Sequence, residues 1–196
     1  MKQIKHIVGI DEVGRGPVAG PVTVCACAAA ADFDMTLFDG IRDSKKLSPK
    51  KREEWFQKIS TWKALGNLDF AFVSISANEI DRMGIAPAIR KALSSALDML
   101  SLDPSITQVM LDGSLYAPEI FSIQKTIIKG DEKIPIISAA SIVAKVMRDT
   151  YMVEQAAVYP VYGFDMHKGY GTAAHMKAIK KHGLSPLHRK SFLRDS

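Results

Sequence analysis

An apolar run, Ile7-Val8-Gly9-Ile10, stops abruptly at two adjacent acids, Asp11 and Glu12. The same ending recurs twice. Gln108 to Leu111 runs straight into Asp112, and Ser122 to Ile128 is followed by Lys129-Gly130-Asp131. Short apolar runs bounded by turn residues read as strands, so acid is delivered at or just past the C-terminal ends of three strands. In open α/β sheets that edge is where functional sites gather. The coincidence constrains the chain more than any single carboxylate does.

The intervening segments fit such a sheet. Lys5 to Ile10 and Gly20 to Ala30 read as strands, as does Phe70 to Ile75. Ser48-Pro49 supplies an N-cap and a first-turn proline for a helix running to about Trp62. Ser76-Ala77-Asn78-Glu79 is a capping box for a short helix that Gly84 ends, and Ala86 to Leu100 forms a longer one. Ile137 to about Ala157 is a long helix, and Thr172 to His182 the last. Early strands followed by alternating strands and helices predict an α/β class: a mixed sheet flanked by helices.

Each acid has an ordinary reading when taken alone. Asp112-Gly113 is a common turn pair, and Asp131 beside Glu132 is a loop acid. Asp11-Glu12 is harder to dismiss, because charge interrupting an apolar strand is costly to bury. If the acids converged they would repel one another, and a hard cation such as Mg²⁺ or Mn²⁺ would resolve the conflict. Two such ions ~4 Å apart can activate a water and stabilise the leaving oxygen of a phosphodiester. Spacing alone does not show that they converge.

Gly14-Arg15-Gly16-Pro17-Val18-Ala19 formally matches a dinucleotide fingerprint, but a strand follows it where that motif needs a helix. No Walker element is present either. What remains is a glycine turn able to bring backbone groups close to a ligand, as a reader of a sugar hydroxyl would need. In isolation it is a tight turn between strands.

The 196 residues, 47% hydrophobic and 24% charged, suit one domain with a true core rather than a disordered chain. The longest small-apolar run, Val22 to Ala31, is too short to span a bilayer. Asp11 and Glu12 cut off the N-terminal apolar stretch before it reaches signal-peptide length. No membrane association and a cytoplasmic location are therefore expected. Cys25 and Cys27 fit two reduced, buried thiols, and no Cys/His spacing resembles a zinc site. The net charge is +5, and the segment from Asp165 to Ser196 holds seven basic residues against two acids, an excess equal to that of the whole chain. A basic C-terminal face suits a polyanion, although charged helix surfaces are also common without one.

Together, these segments resemble ribonuclease HII over nearly the whole chain. The resemblance rests on Gly9 to Pro17, Asp43-Ser44-Lys45-Lys46-Leu47, Asp112-Gly113 and Lys129-Gly130-Asp131. It continues through Ser138 to Lys145, His167-Lys168-Gly169-Tyr170-Gly171-Thr172 and Pro186-Leu187-His188-Arg189. It implies a ribonuclease H-like sheet with a helical C-terminal extension, residues 1–196 forming a single catalytic domain that includes the basic region from about 165. It implies that Asp11, Glu12, Asp112 and Asp131 are the catalytic, metal-binding residues for Mn²⁺ or Mg²⁺. Gly14, Arg15 and Gly16 would meet the 2′-hydroxyl at the cut, and Tyr170 would stack on the next sugar, favouring an RNA-to-DNA junction. The implied partners are RNA–DNA hybrids and duplex DNA containing ribonucleotides, hydrolysed 5′ of the ribonucleotide to leave a 3′-hydroxyl and a 5′-phosphate. Lys45, Lys46, Lys168 and the C-terminal basic residues would hold phosphates. The chain is expected to act as a monomer, and no sliding-clamp or polymerase motif is legible near its end. Competing readings are another metal-dependent nuclease or recombinase of the same fold, and a catalytically silent nucleic-acid-binding module.

Overall fold

A computed structural model describes residues 3–41 and 47–193. Lys45 and Lys46, expected to contact phosphates, lie outside the described residues. The strands are β1 (His6–Val13), β2 (Val22–Ala30), β3 (Leu68–Ile75), β4 (Thr107–Asp112) and β5 (Gln124–Ile127). The helices are α1 (Pro49–Ala64), α2 (Ala77–Met83), α3 (Ile85–Leu100), α4 (Gly130–Lys133), α5 (Pro135–Val158), α6 (Phe164–His167) and α7 (Ala173–His182). The sheet runs β3-β2-β1-β4-β5, antiparallel between β3, β2 and β1 and parallel from β1 through β4 to β5. This is the mixed sheet flanked by helices that the sequence predicts.

Local chemistry explains the element starts. Ser48 caps α1 by accepting from the Lys51 N–H at 3.3 Å, with Pro49 in the first turn. Ser76 and Glu79 form the reciprocal capping box of α2, and Thr172 accepts from the His175 N–H to start α7. Beyond them, two cores sandwich the sheet. Along β2, Val22, Val24, Ala26 and Ala28 face α3, whereas Cys25, Cys27 and Ala29 face α5 and α1. Both thiols are free and buried, as expected. The small side chains of β2 and Gly9 of β1 let α5 lie close against the sheet. A Cβ at Gly9 would collide with the Ile136 backbone, so only glycine fits there.

Two expectations need adjusting. The strand β1 continues through Asp11 and Glu12 to Val13, because antiparallel pairing with β2 persists (Asp11 opposite Cys25, Val13 opposite Thr23). Its parallel pairing with β4 does end at Ile10 and Leu111, so the acids still begin where the parallel ladder stops. Asp131 sits in the short helix α4 rather than in an open loop. Among the described residues no helix is long and apolar enough to cross a membrane.

Candidate active site

The β1–β4 ladder closes at Ile10 and Leu111, and the next residue on each strand is an aspartate, Asp11 and Asp112. The third comes from the adjacent strand. Asp112 lies opposite Ile127 of β5, and Lys129 then takes a left-handed conformation (φ 56°) that turns the chain into α4. The Gly130 N–H donates to Asp112 Oδ1 at 2.6 Å, and Ser138 Oγ donates to the Asp131 carbonyl at 2.7 Å. These bonds fasten α4 between β4 and α5. One carboxylate oxygen each from Asp11, Asp112 and Asp131 consequently lie within 4.8 Å of one another.

Glu12 is not in that group. Side chains alternate along a strand, so Glu12 follows Val8 and Ile10 toward the α3 side while Asp11 faces α5. Its carboxylate lies 3.7 Å from the Arg15 guanidinium.

Asp11 is 5% exposed and Asp131 4%, while Asp112 is half-buried. Burial first, then the charges of Glu12 and Asp112, push the Asp11 carboxyl up to about 8, against hydrogen bonds from Ser141 and the Glu12 N–H that favour ionisation. A metal-free chain at neutral pH therefore keeps a proton on Asp11. Carboxylate oxygens at this separation form the donor set of a hard divalent cation, which would replace that proton and remove the repulsion. The residues present fit such an ion.

Gly14 has φ 87°, and a Cβ there would strike the Arg148 side chain and the Pro21 carbonyl. At Gly16 φ is ordinary, and a Cβ would meet nothing within 4 Å. The fold thus requires glycine at 14 but not at 16, where open space faces outward. Tyr170 is 44% exposed, and its carbonyl accepts from the Thr172 N–H and lies 2.8 Å from His175 Nδ1. Lys168 is half-buried and donates its ammonium to the Asp165 carbonyl of its own turn.

The basic C-terminal segment divides. Lys177, Lys180, Lys181 and Lys190 are exposed, but Arg189 is 0% exposed and spends its guanidinium on backbone carbonyls. Arg189 therefore does not join a phosphate-holding surface, contrary to the reading by charge alone. His175 and His188 are buried as well. Sequence reasoning also missed Ser141 and Arg148. The available signal was their position on the α5 stripe Ser141, Ala144, Arg148, Met152, which is buried throughout.

A family model for ribonuclease HII matches residues 8–195. The chain belongs to the ribonuclease HII family. Ribonuclease HII of Shouchella clausii is 46% identical over 186 residues, covering 95% of this chain and 68% of that protein. The ribonuclease HII of Coxiella burnetii is 46% identical over 187 residues, covering 95% and 87%. Among solved structures, one from the PCNA:RNase HII complex of Archaeoglobus fulgidus matches with a TM-score of 0.75 at 26% identity, covering 93% of each chain. The expected ribonuclease H-like fold is thus the family's fold. As a ribonuclease HII the chain is a hydrolase, an endonuclease acting on RNA–DNA hybrids.

Proposed function

We propose that this ribonuclease HII cuts RNA–DNA hybrids and ribonucleotides embedded in duplex DNA, hydrolysing 5′ of the ribonucleotide at RNA-to-DNA junctions. The observation that carries the metal-dependent part is the convergence of Asp11, Asp112 and Asp131 within 4.8 Å, with Asp11 buried. These three hold Mg²⁺ or Mn²⁺, and Glu12, next in the chain, completes the acidic set. When bound, divalent cations supply Lewis-acid stabilisation of charge on the scissile phosphate and on its attacking and leaving oxygens.

The chain's own residues do the selecting. Gly14, Arg15 and Gly16 bring backbone close to the sugar, and the open space at Gly16 is where a ribose 2′-hydroxyl is read. The half-exposed ring of Tyr170 stacks on the following sugar and prefers a deoxyribose there. Lys45, Lys46, Lys168 and the exposed C-terminal lysines hold phosphates, which position the duplex without reading its sequence. Residues 1–196 work as one catalytic unit, monomeric on its substrate.

The deciding assay compares three duplexes of one sequence: all DNA, DNA with a single ribonucleotide, and a continuous RNA–DNA hybrid, each with Mn²⁺, Mg²⁺ or EDTA. Cleavage of the ribonucleotide-containing duplexes, leaving 3′-hydroxyl and 5′-phosphate ends and abolished by EDTA, is expected. Equal cutting of the all-DNA duplex would instead indicate a general nuclease or recombinase. Asp112→Asn keeps an oxygen for the Gly130 N–H and so retains the fold. It is expected to lose cleavage by about a thousandfold while still binding duplex. Normal cutting by this variant would remove Asp112 from the site.

A further inference from the structure

We propose that Arg189 and Arg148 are positioning residues for ribose selection: Arg189 draws in the Gly14 and Arg15 carbonyls so that the loop's N–H groups face the sugar, while Arg148 packs beneath Gly14 and holds the segment 19–21 that follows the loop. The proposal rests on the reading of Gly14-Arg15-Gly16 as the ribose-contacting loop.

The two side chains are 1% and 0% exposed and come from distant parts of the chain, Arg148 from α5 and Arg189 from the segment after α7. Arg189 donates to the Gly14 carbonyl at 2.7 Å, the Arg15 carbonyl at 3.1 Å and the Gly20 carbonyl at 2.9 Å. Arg148 donates to the Pro21 carbonyl at 2.9 Å and the Ala19 carbonyl at 3.3 Å. The Arg189 fork therefore holds the glycine loop itself, and both forks hold the 19–21 segment behind it. A lysine could not reproduce this, since an ammonium is a point donor rather than a fork.

Peptide planarity carries the consequence outward. In a trans peptide the C=O of one residue and the N–H of the next point in opposite directions. Pulling the Gly14 and Arg15 carbonyls toward Arg189 aims the Arg15 and Gly16 N–H groups away from it. Neither of those N–H groups donates to an acceptor among the described residues. The backbone at Gly16 is open as well, since a Cβ there would meet nothing within 4 Å, so a methyl would stand in the space a sugar needs. A charged donor on a peptide's oxygen also polarises that peptide, which strengthens its N–H as a donor.

The charges are the second observation. Neither guanidinium forms an ion pair with a carboxylate among the described residues, and Arg148 Nη1 has no hydrogen-bond partner there. Burying two neighbouring cations without an anion in contact is unfavourable for folding alone. Burial, followed by repulsion from Arg148, holds Arg189 down at about 9. The Tyr170 phenol lies within electrostatic reach of both guanidiniums. The pair thus stands beneath the glycine loop and near Tyr170, the two elements assigned to the sugars flanking the cut, with Asp149 and Asp81 only partly offsetting its charge.

Arg189→Lys and Arg148→Lys test the inference against duplexes carrying a ribose or a 2′-fluoro sugar at one position. In each variant kcat/KM on the ribose duplex should fall about ten- to a hundredfold, and the preference for ribose over 2′-fluoro should shrink by at least about tenfold. Affinity for an all-DNA duplex should change by less than about threefold, and the Mn²⁺ concentration giving half of the thermal shift should stay within about twofold of wild type. A lower melting temperature with the ribose preference intact would make both residues merely structural and overturn the proposal. Arg148→Lys disturbs fewer carbonyls and decides between the two outcomes should Arg189→Lys fail to fold. Gly16→Ala separates the two levels. If it leaves ribose preference unchanged, the loop reading itself is wrong. If it destroys the preference while both lysine variants keep theirs, only the role of the arginines is lost.

Discussion

At Asp11 a carboxyl sits where the folded chain prefers it neutral. Its pKa rises from the ordinary carboxylate value to about 8, so from about pH 4 to pH 8 the folded metal-free protein holds a proton that the unfolded chain releases. Metal-free stability attributable to this group therefore falls as pH rises through that window. Asp11→Asn removes the conflict. At pH 8 without metal it should be more stable than wild type by about 1–3 kcal/mol, a melting temperature higher by about 2–10 °C, yet lose the Mn²⁺-induced shift and cleavage. A variant less stable than wild type at pH 8 would contradict the electrostatic account. Gly14 and Gly16 should part in the same way. Gly14→Ala should lose about 2 kcal/mol or more in denaturant melts, through its left-handed φ and its clash with Arg148. Gly16→Ala should stay within about 0.5 kcal/mol of wild type while cutting poorly. Asp11, Asp112 and Asp131 were legible as strand-end acids. That Glu12 leaves their group follows from strand alternation, once β1 is known to continue past it. Arg148 was legible only in its place on the buried α5 stripe; residue type argues against burial, and only the Ala19 and Pro21 carbonyls explain it.

The C-terminal elements hang on a histidine pair. His175 Nε2 and His188 Nε2 are 3.1 Å apart, with His167 stacked on His175 at 4.2 Å and Tyr162 and Phe164 packed alongside. Burial holds His175 down at about 4, with the neighbouring His167 and His188 adding to the effect, while the contact with the Tyr170 carbonyl opposes it. As pH falls from about 6.5 to 4 the unfolded chain takes up a proton that the folded one refuses, so stability declines over that window, by on the order of 3 kcal/mol for this residue. Hydrogen exchange at pH 7.5 and pH 5 should show protection lost first in α7 and residues 185–189, with β1 and β4 retained. Uniform loss across the sheet would locate the sensitive groups elsewhere. Caps and periodicity made α1, α2, α3 and α7 readable in the sequence. The extension of β1 and the helical setting of Asp131 were not, since one rests on continued pairing with β2 and the other on the Lys129 turn and the Gly130 bond to Asp112, none of which shows in local pattern.

For the whole molecule, charge governs encounter with substrate. Lys177, Lys180, Lys181 and Lys190 are exposed, and each phosphate they neutralise should steepen the fall of log K against log salt by about 0.9. Replacing Lys180 and Lys181 by Glu should lower duplex affinity and flatten that slope by about 1–2, with kcat at saturating substrate little changed. An unaltered slope would take α7 off the binding face. The sequence correctly located the excess charge, but it could not divide that charge between surface lysines and the buried Arg189.

The fastening of the glycine loop by Arg189 also bears on how the protein is made. The three converging aspartates and the helix α5 that fastens them are complete by Val158, but the loop at 14–16 waits for Arg189, 175 positions downstream of Gly14. Contacts this far apart in sequence form late in folding, after local helices and adjacent strands. On the ribosome, then, the emerging polypeptide should gather its acidic cluster before the glycine loop takes its final shape.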